Sequence, residues 1–198
     1  MAVEKYGPKD TDITSQLTKI RDAGADTVII YGIADGAANV LRSMEKINYL
    51  PTTLGTWGNL SSLLPRLAGP KMADHLILAA STTEDSNAKT KSLGERVRKN
   101  FPTLTTFPCS AQAYDSVMLL AAAMKAAGTT DGEKVAAALE NVNNVEGVIK
   151  TYNKPFSKTD HEGLGVADFY LAKWKNGTTV VRYEDAVTKS LTAADLKK

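Results

Sequence analysis

A complete strand, a tight turn and a complete helix follow one another in residues 26–46, which read DTVIIYGIADGAANVLRSMEK. The run TVIIY at residues 27–31 is rich in β-branched side chains, which is typical of a strand covered on both faces in a parallel sheet. Gly32 ends that run. Beyond it the apolar residues recur with the period of an amphipathic helix, at Ala37, Val40, Leu41 and Met44. The segment therefore predicts the first half of a βαβ unit.

Helix and strand patterns alternate on both sides of this unit, with short connections. A helix pattern occupies residues 11–24, and strand patterns occupy residues 52–56 and 75–80 with a leucine-rich helix pattern between them. A weaker strand pattern lies at residues 2–5. Because helix and strand alternate along this part of the chain, we expect an α/β fold with a parallel, doubly wound sheet and right-handed crossovers.

The rest of the chain is mostly helical until a final hairpin. After the polar run STTEDSNAKT, the most apolar helix pattern of the chain covers residues 110–127. Its apolar stripe consists of Ala113, Val117, Leu120, Ala121 and Met124. Further on, Asn176-Gly177 joins two strand patterns between residues 165 and 182, and this dipeptide favours a type I′ hairpin turn.

Composition argues against several function classes. The chain carries 24 basic and 22 acidic residues, so its net charge of +2 gives no reason to expect a nucleic-acid partner. No apolar run approaches the ~20 residues needed to span a bilayer, and the opening MAVEKYGPKD lacks the hydrophobic region of a signal peptide. The single Cys109 cannot form an internal disulfide, and nothing beside it in sequence suggests a nucleophile.

Catalytic and metal-binding motifs are also missing from the sequence. The only histidines are His75, in a predicted strand, and His161, in a polar loop, so we expect no metal site. There is no G-x-S-x-G motif, and GIADG after the first strand is neither a dinucleotide fingerprint nor a P-loop. We therefore expect no catalytic residue and no cofactor, and a binding protein rather than an enzyme.

Polar and aromatic residues gather at the ends of the predicted strands, where open α/β sheets bind their ligands. The candidate ligand-binding residues are Tyr31, Ile33, Ala34, Asp35, Trp57, Asn59 and Ser81, with Thr82 beside them. Taken singly, several have structural explanations, because Tyr31 fits a sheet core and Asp35 fits a helix cap. Taken together, they favour a small-molecule site.

Three ordered blocks of sequence carry a family resemblance. They read DTDITSQLTKIRDAGADTVIIYG, then AQAYDSVMLLAAAMKAAGTTDGEKVAAALENV, then VEGVIK followed by PFSKTDHEG and FYLAKWKNG. In that order they resemble the C-terminal half of the type I periplasmic solute-binding proteins of ABC transporters. The most similar branch is that of the branched-chain amino acid (Leu/Ile/Val) binding proteins, and the resemblance covers nearly the whole chain.

The resemblance implies two α/β lobes that close on a ligand by a hinge motion. Residues 1–82 and 166–198 would belong to the C-terminal lobe, which here lacks its first βα unit. Residues 83–165 would be a mostly helical return through the N-terminal lobe. Family members act in the periplasm and deliver their ligand to a membrane permease. Because the same fold serves as the ligand domain of receptors and repressors, a ligand-sensing regulatory domain is an alternative.

The length of the chain departs from the family pattern. It is about half of what the resemblance implies, and the first strand of the C-terminal lobe is missing. That strand would lie between residues 2–5 and residues 27–31, and its absence leaves backbone groups unpaired. We therefore expect the chain to rearrange, or to pair with another copy as a homo-oligomer or domain-swapped dimer.

The residue after the strand pattern at 52–56 is the second departure. Amino-acid-binding members of the family place an acidic residue there, against the ligand ammonium, whereas this chain has Trp57. An indole cannot supply that charge-assisted hydrogen bond, although it can stack on a ring or a cation. Asp35 in the neighbouring loop would supply the charge. The expected ligand is a branched-chain or related amino acid, with an aromatic acid or a small amide or urea as the alternative.

Overall fold

The computed structural model describes residues 1–190, and helices and strands alternate through its first part. The elements of that part are α1 (Thr14–Asp22), β1 (Thr27–Ile30), α2 (Ala34–Lys46), β2 (Thr52–Gly55), α3 (Leu63–Ala68), α4 (Pro70–His75) and β3 (Leu76–Ala80). The later elements are α5 (Ala88–Asn100), α6 (Phe107–Ala127), α7 (Gly132–Leu139), β4 (Val145–Glu146), β5 (Thr151–Tyr152), β6 (Tyr170–Lys175), β7 (Thr179–Arg182) and α8 (Ala186–Ser190).

These elements fall into two compact units. Among the described residues, unit 1 comprises residues 1–80 and 170–190, and unit 2 comprises Ser81–Phe169. The predicted lobes, at residues 1–82 with 166–198 and at residues 83–165, stay predictions, and residues 191–198 lie outside the described part of the chain.

A five-stranded sheet in the order β1-β2-β3-β6-β7 forms the centre of unit 1. β1, β2 and β3 run parallel, whereas β6 and β7 are antiparallel to their neighbours. The predicted α/β fold is therefore confirmed, and the sheet predicted to be parallel is mostly parallel. β1 is an outer strand, and Ile29 is in register with Leu54 of β2.

The core of unit 1 lies on one face of this sheet. Residues from α1, α2, α3 and α4 pack there against alternate residues of the strands in one cluster. The apolar stripe predicted for the helix after β1 is buried as expected, at Ala37, Val40, Leu41 and Met44. Amphipathic periodicity identified this helix correctly because it packs with one face only.

β1 is not covered on both faces, so that prediction is wrong. Val28 and Ile30 are buried in the core, but Ile29 between them is 69% exposed. Two features explain the difference. The four helices pack on one face, and in the described part of the chain β1 has a neighbouring strand on one side only. A run of β-branched residues specifies a strand without specifying what covers each face.

Two further expectations about unit 1 are corrected. Residues 2–5 form no strand and are not part of the sheet, although their exposure alternates as in an extended chain. His75 is the last residue of helix α4 and its Nε2 lies 2.8 Å from the Pro51 carbonyl oxygen. Residues 70–75 carry too short a pattern for periodicity to reveal a helix.

The hairpin predicted around Asn176-Gly177 is present. β6 and β7 pair antiparallel through the turn, and Asn176 and Gly177 have φ of 54° and 65°. A type I′ turn needs positive φ at both central residues, which explains why this dipeptide is favoured there.

Helix α6 dominates unit 2 and buries a different face from the predicted one. Its buried side chains include Ala111, Asp115, Leu119 and Ala123. Val117, from the predicted stripe, is 63% exposed. The helix is apolar around most of its circumference, so the sequence could not determine which face packs. Cys109 lies exposed in the first turn of this helix.

Candidate functional site

The loops that follow β1 and β2 meet at the backbone carbonyl of Gly32. This oxygen accepts a hydrogen bond from Thr56 Oγ1 at 2.8 Å and another from Asn59 Nδ2 at 3.1 Å. A Cβ on Gly58 would lie 3.4 Å from Ile33 Cγ2, so the short helical turn Trp57–Asn59 packs directly on the first loop. The carboxyl ends of β1 and β2 therefore form one continuous wall, as parallel strands place them at the same sheet edge.

A cleft of about 420 Å³ opens beside this wall, within unit 1. Its lining consists of Glu4, Lys5, Tyr6 and Pro8 on one side and of Tyr31, Gly32, Ile33, Asp35 and Gly36 on the other. Its volume lies within the usual range for small-molecule pockets, roughly 300–1,000 Å³. Three of the predicted ligand-binding residues, Tyr31, Ile33 and Asp35, line it together.

Tyr6, on one side of the cleft, packs closely against Gly32 and Gly36 on the other side. A Cβ added to Gly32 would overlap the Tyr6 hydroxyl, and one added to Gly36 would lie 3.0 Å from the Tyr6 ring. The two glycines therefore let the ring approach the start of α2. The Tyr6 hydroxyl oxygen is buried and has no hydrogen-bond partner among the described residues. Burial, assisted by the negative charge of Asp35, raises the pKa of Tyr6.

Asp35 is one of three charged residues that line the cleft, with Glu4 and Lys5. This residue lies in the first turn of α2, exposed, and its Oδ1 accepts a hydrogen bond from the Gly36 amide at 2.9 Å. It forms no ion pair within the described part of the chain, whereas Glu4 pairs with Lys19 at 3.2 Å. A carboxylate without a cationic partner beside an aromatic wall can bind a ligand cation.

The predicted site residues of unit 1 differ in how far they are exposed to solvent. Tyr31 is 87% exposed and so lies outside the sheet core, and Trp57 is 44% exposed at the end of β2. Ala34, the first residue of α2, is buried in the core cluster and does not line the cleft. Asn59 is fully buried, and its role is to hold the Gly32 carbonyl rather than to face solvent.

Ser81 and Thr82 belong to unit 2. Both are buried, and Ser81 Oγ accepts a hydrogen bond from Gln112 Nε2 at 3.4 Å. Gln112 lies in α6, so this contact joins the start of unit 2 to its longest helix.

Sequence reasoning missed Tyr6, Gly32 and Gly36 as a group. Residues 4–8 reach the end of β1 only through tertiary folding, so no local pattern predicts the contact. A signal was nonetheless present, because two glycines four residues apart frame the start of α2. Such spacing lets another side chain approach a helix end closely.

Other kinds of site find little support in the described residues. They contain no group of three or more His, Cys, Asp or Glu side chains that could hold a metal ion. None of their helices is long and apolar enough to cross a membrane.

Comparison with known proteins identifies the family. The family described as periplasmic binding protein matches residues 1–179. No curated protein matches the chain. The family and the similar solved structures are binding proteins.

Solved structures share the fold at low sequence identity. The leucine-binding protein LivK of Thermotoga maritima is 21% identical with a TM-score of 0.72, over 90% of this chain and 49% of that one. The protein LivJ of Streptococcus pneumoniae, solved with isoleucine, is 24% identical with a TM-score of 0.69, over 90% and 51%. A solute-binding protein of Rhodopseudomonas palustris, solved with benzoate, is 19% identical with a TM-score of 0.67, over 89% and 47%.

The chain thus spans about half the length of these solved relatives. Their likeness bears on the fold, and the family match covers most of the sequence. This chain belongs to the periplasmic binding protein family.

Proposed function

We propose that this chain is part of the solute-binding component of an ABC importer and captures a branched-chain or related amino acid. The coupling of the β1 and β2 loops through the Gly32 carbonyl supports this most directly, because it builds a rigid wall beside a cleft. A preorganised wall lowers the entropic cost of binding a small solute.

The polar groups of the cleft suggest how the ligand is recognised. Asp35, which has no ion-pair partner among the described residues, would accept hydrogen bonds from the ligand ammonium. Tyr31, Ile33 and Trp57 would provide apolar contact. An aromatic acid is the second candidate, because Trp57 offers a ring to stack on and a solved relative binds benzoate. A small amide or urea is a third.

The remaining functional statements are implied by the family. The whole protein would enclose the ligand between two lobes, act in the periplasm and hand the ligand to a membrane permease. The wall in unit 1 would be the contribution of the C-terminal lobe. The ligand-binding role predicted for Ser81 stays a prediction.

A thermal unfolding series with defined ligands tests the ligand class. Leucine or isoleucine at about 100 times its dissociation constant should stabilise the protein by ~2.7 kcal/mol. Stabilisation by benzoate without any by amino acids would overturn the amino-acid assignment in favour of an aromatic acid. No stabilisation by amino acids, benzoate or small amides would contradict solute binding by this chain.

We also infer that two copies of this chain associate along the open side of β1. Among the described residues this strand has a neighbouring strand on one side only, Ile29 is exposed on it, and Tyr31 is exposed just after it. Val3 in the adjacent extended segment is exposed as well. An apolar, unpaired strand edge favours pairing with another strand. Exchange of an element between the copies is one route to such a dimer.

Light scattering at micromolar concentration tests this association. Wild type should have twice the mass of the chain, and Ile29→Lys should be a monomer because a charge on an edge strand opposes pairing. Val181→Lys is the matched control, since Val181 is an exposed apolar residue on β7 at the opposite edge. A stable, compact wild-type monomer would contradict the proposal.

A further inference from the structure

The hairpin turn between β6 and β7 contains the only Asn-Gly dipeptide of the chain, Asn176-Gly177. Asparagine followed by glycine is the sequence most prone to spontaneous deamidation, because glycine offers no side chain to hinder the attack of its own backbone nitrogen. Asn176 is exposed at the tip of the turn. An unprotected turn of this sequence would therefore lose its amide with time.

Asp74, from helix α4, holds both backbone amides of this turn. Its Oδ2 accepts a hydrogen bond from the Asn176 N–H at 2.8 Å, and its Oδ1 accepts one from the Gly177 N–H at 3.0 Å. Such a carboxylate clamp is a charge-assisted pair of bonds, stronger than neutral ones. The Gly177 nitrogen, which would have to attack the Asn176 side chain, is thus held towards Asp74.

The turn is also seated closely on α4. A Cβ on Gly177 would lie 2.9 Å from Pro70 Cβ and 3.0 Å from Pro70 Cα. With φ of 54° and 65°, the two turn residues are in the left-handed region. The backbone of the turn is therefore fixed by its conformation, by packing and by hydrogen bonds at the same time.

We propose that Asn176 is a deamidation site that the Asp74 carboxylate protects in the folded protein. Two effects of Asp74 act together. Its carboxylate accepts a hydrogen bond from the Gly177 N–H. Its negative charge also opposes loss of this proton, and the nitrogen becomes a nucleophile only when the proton is lost. Protection is therefore a property of the native contact between α4 and the hairpin, and it is lost when that contact opens.

The chemistry needs water only. The Gly177 nitrogen gives up its proton and forms a bond to the Asn176 side-chain carbonyl carbon. The bond from that carbon to the amide nitrogen breaks, and ammonia leaves with the proton. Water then opens the resulting cyclic imide at either carbonyl, which leaves aspartate or isoaspartate at position 176.

The product would weaken the structure that protects the site. Either product places a negative charge on the side chain of residue 176, whose backbone amide Asp74 binds. The two negative charges repel each other. Isoaspartate also adds a methylene to the backbone of the turn, which disturbs the register of β6 and β7. One deamidation event would therefore release the hairpin from α4.

Mass spectrometry of the aged protein tests the proposal. The whole chain is incubated at mildly alkaline pH, natively and in denaturant, and the peptide containing residue 176 is followed for conversion of amide to acid. We expect native wild type to deamidate several-fold more slowly than denatured wild type. Equal rates in the two conditions would overturn the proposal, and this comparison needs no variant.

The variant Asp74→Ala identifies the protecting group. In protein shown to be folded by circular dichroism, its rate should rise several-fold towards the denatured rate. Asp10→Asn is the matched control, because the Asp10 carboxylate accepts the Gly7 amide in another loop, and its rate should equal that of wild type. A folded Asp74→Ala protein that deamidates as slowly as wild type would exclude Asp74 as the protecting group.

Discussion

Asp115 is the one charged side chain buried in the most apolar helix, α6. Its Oδ1 accepts the Val148 amide at 2.6 Å, and its Oδ2 accepts the Ile149 amide at 3.0 Å and the Tyr152 hydroxyl at 2.9 Å. A buried carboxylate is tolerable when such donors replace its water. Asp115 therefore holds the segment from Gly147 to Tyr152 against α6.

Gly147 belongs to the same arrangement because a Cβ there would overlap the Asp115 carboxylate. We expect Gly147→Ala to lower the free energy of unfolding by about 1–3 kcal/mol, as overpacking of a buried site does. Gly132→Ala is the control, since nothing lies within 4 Å of a Cβ at Gly132 and the change should be neutral or slightly stabilising. Urea unfolding followed by circular dichroism measures both. Equal stabilities for the two variants would contradict the role given to Asp115.

We expect the stability of unit 2 to fall as the pH rises into the alkaline range, because of Tyr152. Burial raises the pKa of Tyr152. The hydrogen bond to Asp115 and the negative charge of Asp115 raise this pKa further. The unfolded chain loses this proton near pH ~10, while the folded chain keeps it to higher pH. Stability from this residue is therefore complete below that pH and is lost as pH rises above it. Urea unfolding of wild type should weaken there, and Tyr152→Phe should weaken less. Parallel loss in both proteins would contradict the prediction.

Helix α6 has two apolar faces that are used differently. Leu119 is 5% exposed and packs with Val135 of α7, whereas Val117 is 63% exposed. Because both faces are apolar, hydrophobic periodicity could not choose between them. Asp115 was the better signal, since a buried carboxylate must face its hydrogen-bond donors.

Alanine substitutions on the two faces of α6 should differ in how much they lower the free energy of unfolding. Leu119→Ala should cost about 2–5 kcal/mol of unfolding free energy, as large-to-small changes in a core do. Val117→Ala should stay within about 0.5 kcal/mol, as surface changes do. Thermal unfolding of the two variants measures the difference. A loss at Val117 as large as that at Leu119 would show that this face is packed in solution.

The sheet of unit 1 shows what local sequence specifies and what it leaves open. The helix stripe from Ala37 to Met44 and the turn at Asn176 were predictable, because each depends on residues close in sequence. The exposed face of β1 was not predictable, because it depends on which elements pack beside the strand. Ile29, Leu54, Ile77, Lys173 and Val181 form one row across all five strands on that second face.

In the whole molecule, local sequence likewise predicts only part of the candidate site. Tyr31, Ile33 and Asp35 were predicted from their place after a strand, and they line one cleft. Tyr6, on the opposite side, could not be predicted because residues 7–26 separate it from β1. The family resemblance was recognisable because its three blocks lie in order along nearly the whole chain.

We propose that Asp35 binds the cationic group of a solute at the wall formed by the β1 and β2 loops. Calorimetric titration with leucine or isoleucine tests it in wild type, in Asp35→Asn and in Asp22→Asn, a control carboxylate on α1 outside the cleft. Loss of one charge-assisted hydrogen bond should weaken binding by about 1.5–3 kcal/mol in Asp35→Asn alone. Wild-type affinity in Asp35→Asn, measured with a ligand that binds wild type, would contradict the account.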